Sequence, residues 1–358
     1  MAATHIGIFF DGTGNYKDRD IPKKCETNVV KLFELYNVVN TPEFENNRKF
    51  YCRGVGSRGI LDYYVGGFTG AGGDEFVTQM LQRLTKHCNQ SPVRDLTPKI
   101  IDVCGFSRGA AEARHFVNVL KHEGIVNKAT GDIFSDIEVR FLGLFDTVAS
   151  FGIPGNEIDP GFDFHVDNQY VANTVHFIAE HELRNLFDLM SLKESATAAL
   201  PVNMIEMTYP GAHSDVGGGY GYQPFKKGHR RRHPKTRQII EHPDQPEKFN
   251  DLSRIPLHAM YQKMENVGID MIAIANHPRY LSNLIIRQEV DDFYQANKQG
   301  SSFDTIFESP YVHDSRYIKA TNPRGFIDAS GRDIFYPQPY PDYWAERKKQ
   351  RDEESDDE

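Results

Sequence analysis

The chain has 358 residues, of which 39% are hydrophobic, 12% aromatic and 25% charged, so it holds enough apolar material to bury a sizeable core and is not a disordered-type sequence. Its net charge of −9 is local: six of the 50 acids fall between Asp352 and Glu358, leaving 44 acids against 41 bases, so no nucleic-acid partner is expected. No apolar run approaches the ~18 residues of a membrane span, and the four cysteines show no Cys-x-x-Cys or zinc spacing, so all are expected to be free and structural, with neither metal nor cofactor.

The start, MAATHIGIFFDGTGN, lacks a basic leader and a small-residue cleavage site. It is read directly as a strand, His5–Phe10, of a protein made in the cytoplasm without a cleaved signal peptide. Further short apolar runs follow at Phe50–Val55, Ile100–Phe106, Val139–Phe145 and Met204–Tyr209. Runs apolar on both faces suit a mostly parallel, doubly covered sheet. Between them Glu75–Lys86, Ala110–Lys121 and Asn173–Met190 are compatible with helices. The alternation predicts a three-layer α/β architecture.

Two local signatures lead nowhere. Residues 72–76 spell Gly-Gly-Asp-Glu-Phe, as in diguanylate cyclases, but a glycine loop opening a helix explains them. The Asp-Gly-Thr after the first strand resembles that of aspartate-nucleophile phosphatases, whose essential first aspartate is Phe9 here.

The texture changes after Tyr220. Residues 1–220 are read as the core and 221–250 as an exposed basic loop, with seven Lys or Arg in KKGHRRRHPKTR at 226–237. Residues 252–267 resume a helical period, and 251–343 are read as a helical covering subdomain completing the catalytic domain. The last segment, 344–358, is charged and expected to be disordered.

The chemistry concentrates at residues 99–121, KIIDVCGFSRGAAEARHFVNVLK. A strand ends at Gly105-Phe106, Ser107 follows, and a helix begins at Arg108. This is the context of a nucleophile elbow, in which flanking glycines let the chain turn sharply and leave the serine hydroxyl exposed at a helix N-terminus. Such a serine needs a base, and the base an orienting acid. In the α/β-hydrolase fold they follow in the order acid, then histidine, at the ends of later strands. Asp146 ends the next strand, and His213 lies in the exit loop of the strand after that. His313 is the competing base and Asp215 the competing acid, although Asp215 stands awkwardly close to His213. The second oxyanion donor is expected from the backbone around Asp11 and Gly12, with the N–H of Arg108 as the first.

FFDGTGN, CGFSRGAAEARHF, LGLFDTV, VHFIAEHELRNLF (taken as a helix) and PGAHSDVGGGY, in that order, resemble the type VI secretion lipase effectors. These group with a wider family of uncharacterised α/β hydrolases of bacteria and fungi. LSRIPLHAMYQKMENVGI extends the resemblance to about residue 270. It implies an α/β-hydrolase fold and a phospholipase acting on bacterial membrane lipids, with Ser107, Asp146 and His213 as triad. It also implies delivery by a type VI system to a neighbour's periplasm, with a secretion-apparatus spike protein and an immunity protein as partners besides the phospholipid surface. Position 14 is glycine where the family carries an aromatic residue, and family effectors are commonly larger, with a separate membrane-associating portion. The alternatives are a hydrolase of soluble esters and a catalytically inactive hydrolase-fold binding module.

Overall fold

A computed structural model of the chain describes residues 3–40, 46–57, 73–149, 161–184, 187–227, 229–232, 239–242, 247–277, 284–300, 303–313 and 334–356. Its centre is a six-stranded parallel sheet in the order β2-β1-β3-β4-β5-β7. The strands are β1 (Thr4–Phe10), β2 (Arg48–Cys52), β3 (Lys99–Phe106), β4 (Ile137–Phe145), β5 (Thr174–Ala179) and β7 (Met204–Tyr209), with a short β6 (Leu189–Met190) outside the sheet.

The strands are apolar on both faces because both are covered. Ile8 and Phe10 of β1, Ile101 and Val103 of β3, and Leu142 and Leu144 of β4 pack on one side. Phe9, Cys104, Phe106, Phe141 and Phe145 pack on the other. The first side is closed by α3 (Gly73–Cys88) and α4 (Arg108–Glu123), the second by α2 (Asn28–Leu35) and α6 (Arg254–Asn266). A one-turn helix α1 (Lys17–Asp20) and the helix α5 (His213–Gly217) sit in connecting loops. Helices α7 (Gln288–Asn297) and α8 (Phe303–Glu308) follow α6, and Val290, Ile306 and Phe307 join the second core. Cys25, Cys52, Cys88 and Cys104 are free, and all but Cys25 are buried.

β1 is flanked by β2 on one side and by β3 on the other, so the winding direction reverses between β1 and β3. Open α/β sheets bind ligands at such a switch point, in the crevice beyond the carboxyl ends of the strands. Asp11 and Ser107 leave the sheet there.

Three stretches differ from expectation. Asn173–Met190 was expected to be helical, yet Thr174–Ala179 is strand β5, inserted between β4 and β7. Its polar residues, spaced like the wet face of a helix, are buried partners instead: His176 lies 3.0 Å from Glu206 and Glu182 pairs with Arg184. Within the expected loop at 221–250, β8 (His229–Arg232) and β9 (Ile239–His242) form an antiparallel hairpin; residues 228, 233–238 and 243–246 lie outside the described ones. The tail expected to be disordered continues helix α9 (Pro341–Asp356). Trp344 explains the difference: it stacks on His122 at 4.4 Å and donates its indole N–H to Asp163 at 2.8 Å.

Candidate active site

Ser107 stands between β3 and α4 with φ 59° and ψ −127°, a region that side-chain-bearing residues rarely occupy and that strained turns at functional sites exploit. The surroundings over-determine it. Its N–H donates to the Phe145 carbonyl at 3.0 Å, and its carbonyl accepts from Ala110 and Val148 at 3.0 and 3.3 Å. Gly109 lets α4 approach β1, since a Cβ there would stand 2.5 Å from the Phe10 carbonyl oxygen and 2.4 Å from that of Asp11.

Asp146 leaves β4 with φ 43°. Its N–H donates to Phe177 at 2.7 Å, and Oδ1 accepts the Ala179 N–H at 2.8 Å. Oδ2 is thereby turned to His213 Nδ1, 2.5 Å away. A buried carboxylate on Nδ1 fixes the ring and leaves Nε2 as the proton acceptor. The imidazole lies between Phe106, 4.5 Å away centre to centre, and Phe187, whose ring meets it edge-on at 5.0 Å. Phe106 immediately precedes Ser107, so this contact ties the His213 ring to the residue before the elbow serine. Gly217 makes room for it, because a Cβ there would come within 2.0 Å of the Phe106 ring. Burial lowers the pKa of His213, and the bond to Asp146 opposes that shift.

Asp11 and Gly12 also reach this end of the sheet, but their N–H groups are already engaged. That of Asp11 donates to the Cys52 carbonyl at 2.9 Å, and that of Gly12 to the Asp11 carboxylate at 2.8 Å. The donor role expected of them therefore does not fit. The Asp11 carboxylate instead organises the loop, accepting from Thr27 Oγ1 and Tyr51 OH, each at 2.6 Å. Burial raises its pKa to about 6 against these hydrogen bonds. Arg108 ties elbow to loop, its Nε donating to Thr13 Oγ1.

His313 does not meet Asp146. It pairs with Asp215, Nδ1 to Oδ1 at 2.6 Å, so the two competing residues bond to each other. Sequence reasoning missed the Glu182–Arg184 pair, whose Glu182 Oε2 accepts the His213 N–H at 3.1 Å. The quoted motif AEHELRNLF held both residues, and only their mutual approach in space distinguishes them from a helix surface. Among the described residues no group of three or more His, Cys, Asp or Glu is arranged to hold a metal ion, and no helix is long and apolar enough to cross a membrane.

The family model of the catalytic domain of Tle1-like phospholipase effectors of type VI secretion matches residues 5–137 and 132–263. No curated protein matches. The solved structure of the Tle1 effector bound to the VgrG spike from the type 6 secretion system is similar, with a TM-score of 0.63 and 20% identity, over 94% of each chain. An uncharacterized protein from Pseudomonas aeruginosa is similar over 85% of this chain, with a TM-score of 0.58 and 22% identity, and this chain spans 52% of its length. At such identities the likeness is one of fold, and the parallel sheet here is that of an α/β hydrolase.

Proposed function

The chain belongs to the Tle1-like phospholipase effectors of type VI secretion, matching their catalytic domain over most of its length, and from that premise we propose that it cleaves acyl esters of membrane phospholipids through an acyl-enzyme on Ser107. The observation that carries this reading is the Asp146–His213 contact of 2.5 Å beside a serine held in a strained turn. Ser107 Oγ attacks the ester carbonyl while His213 Nε2 takes its proton. Asp146 holds the ring and stabilises the imidazolium. The oxyanion forms next to the first turn of α4, where the N–H of Arg108 and the helix dipole favour it. Collapse expels the lysolipid alcohol, which leaves with the proton from His213. Water then enters by the same base and releases the fatty acid.

Asp11 and Gly12 support this step indirectly, by shaping the loop opposite the elbow. The family membership supports delivery by a type VI apparatus to the periplasm of a neighbouring cell. The similar Tle1 effector is bound to a VgrG spike, and we assign this chain a spike partner of the same kind and an immunity protein in the producing cell.

The test combines two substrates with a covalent probe. A fluorophosphonate should label the wild type and leave Ser107→Ala unlabelled, and micellar phospholipid should yield free fatty acid and lysolipid with the wild type only. Labelling that persists in Ser107→Ala would remove the serine from the mechanism. Turnover of a soluble nitrophenyl ester with none on phospholipid would point to a soluble substrate, and no labelling at all to an inactive binding module.

A further inference from the structure

The base is carried on a helix too short to hold itself. Helix α5 has five residues, and an isolated turn of that length is unstable because nucleation fixes several residues for one hydrogen bond. Its N-cap, Ala212, has no side chain able to accept from the helix amides. The fixed direction of His213 must therefore come from side-chain bonds rather than from the backbone of the turn itself.

Asp215 supplies most of them. Its Oδ2 accepts the N–H of Ala212 at 3.0 Å and that of His313 at 2.9 Å, and its Oδ1 meets His313 Nδ1 at 2.6 Å. One carboxylate thus locks the start of the turn to a segment 98 residues further along the chain. On the opposite side Glu182 accepts the N–H of His213 itself. Asp215 and His313 are both at most 2% exposed, so water cannot replace the bonds they make. The His313 ring rests against Tyr220 at 4.3 Å, while its Nε2 is buried and makes no hydrogen bond among the described residues. Among the described residues, only the Nδ1 edge of the His313 ring is in use.

We propose that His313, acting through Asp215, is a positioning residue that fixes the angle at which His213 meets Ser107; this rests on Ser107, Asp146 and His213 being the triad. A stabilising contact could lie anywhere on the surface of the fold. This one is spent on the five residues that carry the base, where a displacement of about 1 Å can lower turnover on the order of 100-fold. Among the described residues, the charged and titratable groups facing His313 are Asp215 and the Tyr220 phenol, and those facing His213 are Asp146, Glu182 and Arg184. Loosening the turn admits water to His213, which removes part of the burial that lowers its pKa.

Turnover of a soluble nitrophenyl ester across pH, in full-length variants, tests this. His313→Ala should lose kcat by about 10- to 100-fold, keep KM within about twofold and move the acid limb of kcat/KM upward. His313→Asn, whose amide can donate from the place of Nδ1, should recover most of the rate and the limb. A His313→Ala protein with the wild-type kcat and limb would overturn the proposal. So would a His313→Asn protein that melts like the wild type yet is as slow as His313→Ala, since the Nε2 edge would then matter. If His313→Ala does not fold, Asp215→Asn is read in its place, and unchanged kcat there overturns the proposal equally. Undiminished turnover in Ser107→Ala is the separate result that removes the triad, and the positioning role with it.

Discussion

Ser107 and Asp146 are both held at positive φ without being glycine, and each sits at the carboxyl end of a strand that fixes its neighbours. Strain of this kind is worth about 1–3 kcal/mol and persists because the surrounding backbone bonds leave no alternative. Replacing the reactive atoms should therefore spare the fold. Ser107→Ala and His213→Ala should each reduce turnover by a factor on the order of 10³ or more, the double variant should be little worse, and melting temperatures should stay near the wild type. Asp146→Asn should lose less, though still heavily. Steady-state kinetics and thermal melts on the set decide it, and a sharp fall in the melting temperature of Ser107→Ala would make the serine structural. The pH profile follows from the base. His213 must be neutral to accept the proton, and burial lowers its pKa, so its neutral form persists below the ordinary histidine value of ~6.5. The acid limb of kcat/KM in the free enzyme should accordingly lie below that value; a limb above it would mean that the Asp146 bond outweighs burial. Ser107, Asp146 and His213 could be proposed from the sequence because each follows an apolar strand in the order that the fold imposes, and the contact between Asp146 and His213 is what the structure adds. The oxyanion loop was misread because residue types do not reveal which N–H groups are already engaged, and here Cys52 and the Asp11 carboxylate engage both.

At the scale of elements, legibility tracked how a segment is buried. β1 and β3 are apolar on both faces and stood out. β5 did not, because His176 contacts Glu206 and Thr147 inside the protein, and a buried polar partner looks like an exposed residue in the sequence. Helix α9 was hidden for the opposite reason: its composition is that of a solvated tail, and what holds it is largely one side chain. Trp344 stacks on His122, meets Asp163 through its indole N–H and is 7% exposed, while Arg347 adds an ion pair to Glu123. Large aromatic truncations of this kind lose on the order of 3 kcal/mol. Trp344→Ala should lower the melting temperature by several degrees and open α9 to hydrogen exchange, with kcat unchanged because the helix is anchored at His122 and Glu123, at the end of α4 opposite to Ser107. Trp344→Phe should fall between the two, retaining the stack without the hydrogen bond. Melting and exchange like the wild type in Trp344→Ala would mean that the ion pair and the Tyr343 hydroxyl, which donates to the Gly161 carbonyl at 2.8 Å, hold the helix rather than the tryptophan.

At the scale of the whole molecule, a phospholipase must also bring its crevice to an interface, and no helix among the described residues crosses a membrane. The chain leaves the histidine turn and passes Tyr222 and Phe225, 53% and 58% exposed, before reaching Lys226, Lys227 and the hairpin strand that contains Arg230, Arg231 and Arg232. The hairpin is rooted where Gln223 and Lys248 exchange backbone hydrogen bonds at 2.9 and 2.8 Å, close in sequence to His213. With seven Lys or Arg and no acid between residues 226 and 237, in a chain whose net charge is −9, this is the densest positive segment of the chain. Each base near an anionic bilayer contributes about 1 kcal/mol, Tyr222 has the amphipathic character that suits the headgroup level, and the exposed Phe225 ring adds apolar surface. The attraction should weaken as salt shortens the screening length from ~10 Å at 0.1 M to ~3 Å at 1 M. Replacing Arg230, Arg231 and Arg232 with Ser should therefore reduce binding and turnover on phosphatidylglycerol-containing vesicles at low salt and flatten their salt dependence. It should leave hydrolysis of a soluble nitrophenyl ester unchanged, because that reaction requires no attachment to a bilayer. Vesicle sedimentation and parallel assays on the two substrates separate the outcomes. Equal loss on both would make the hairpin a support of the site, and no loss on either would make it a solvated arm.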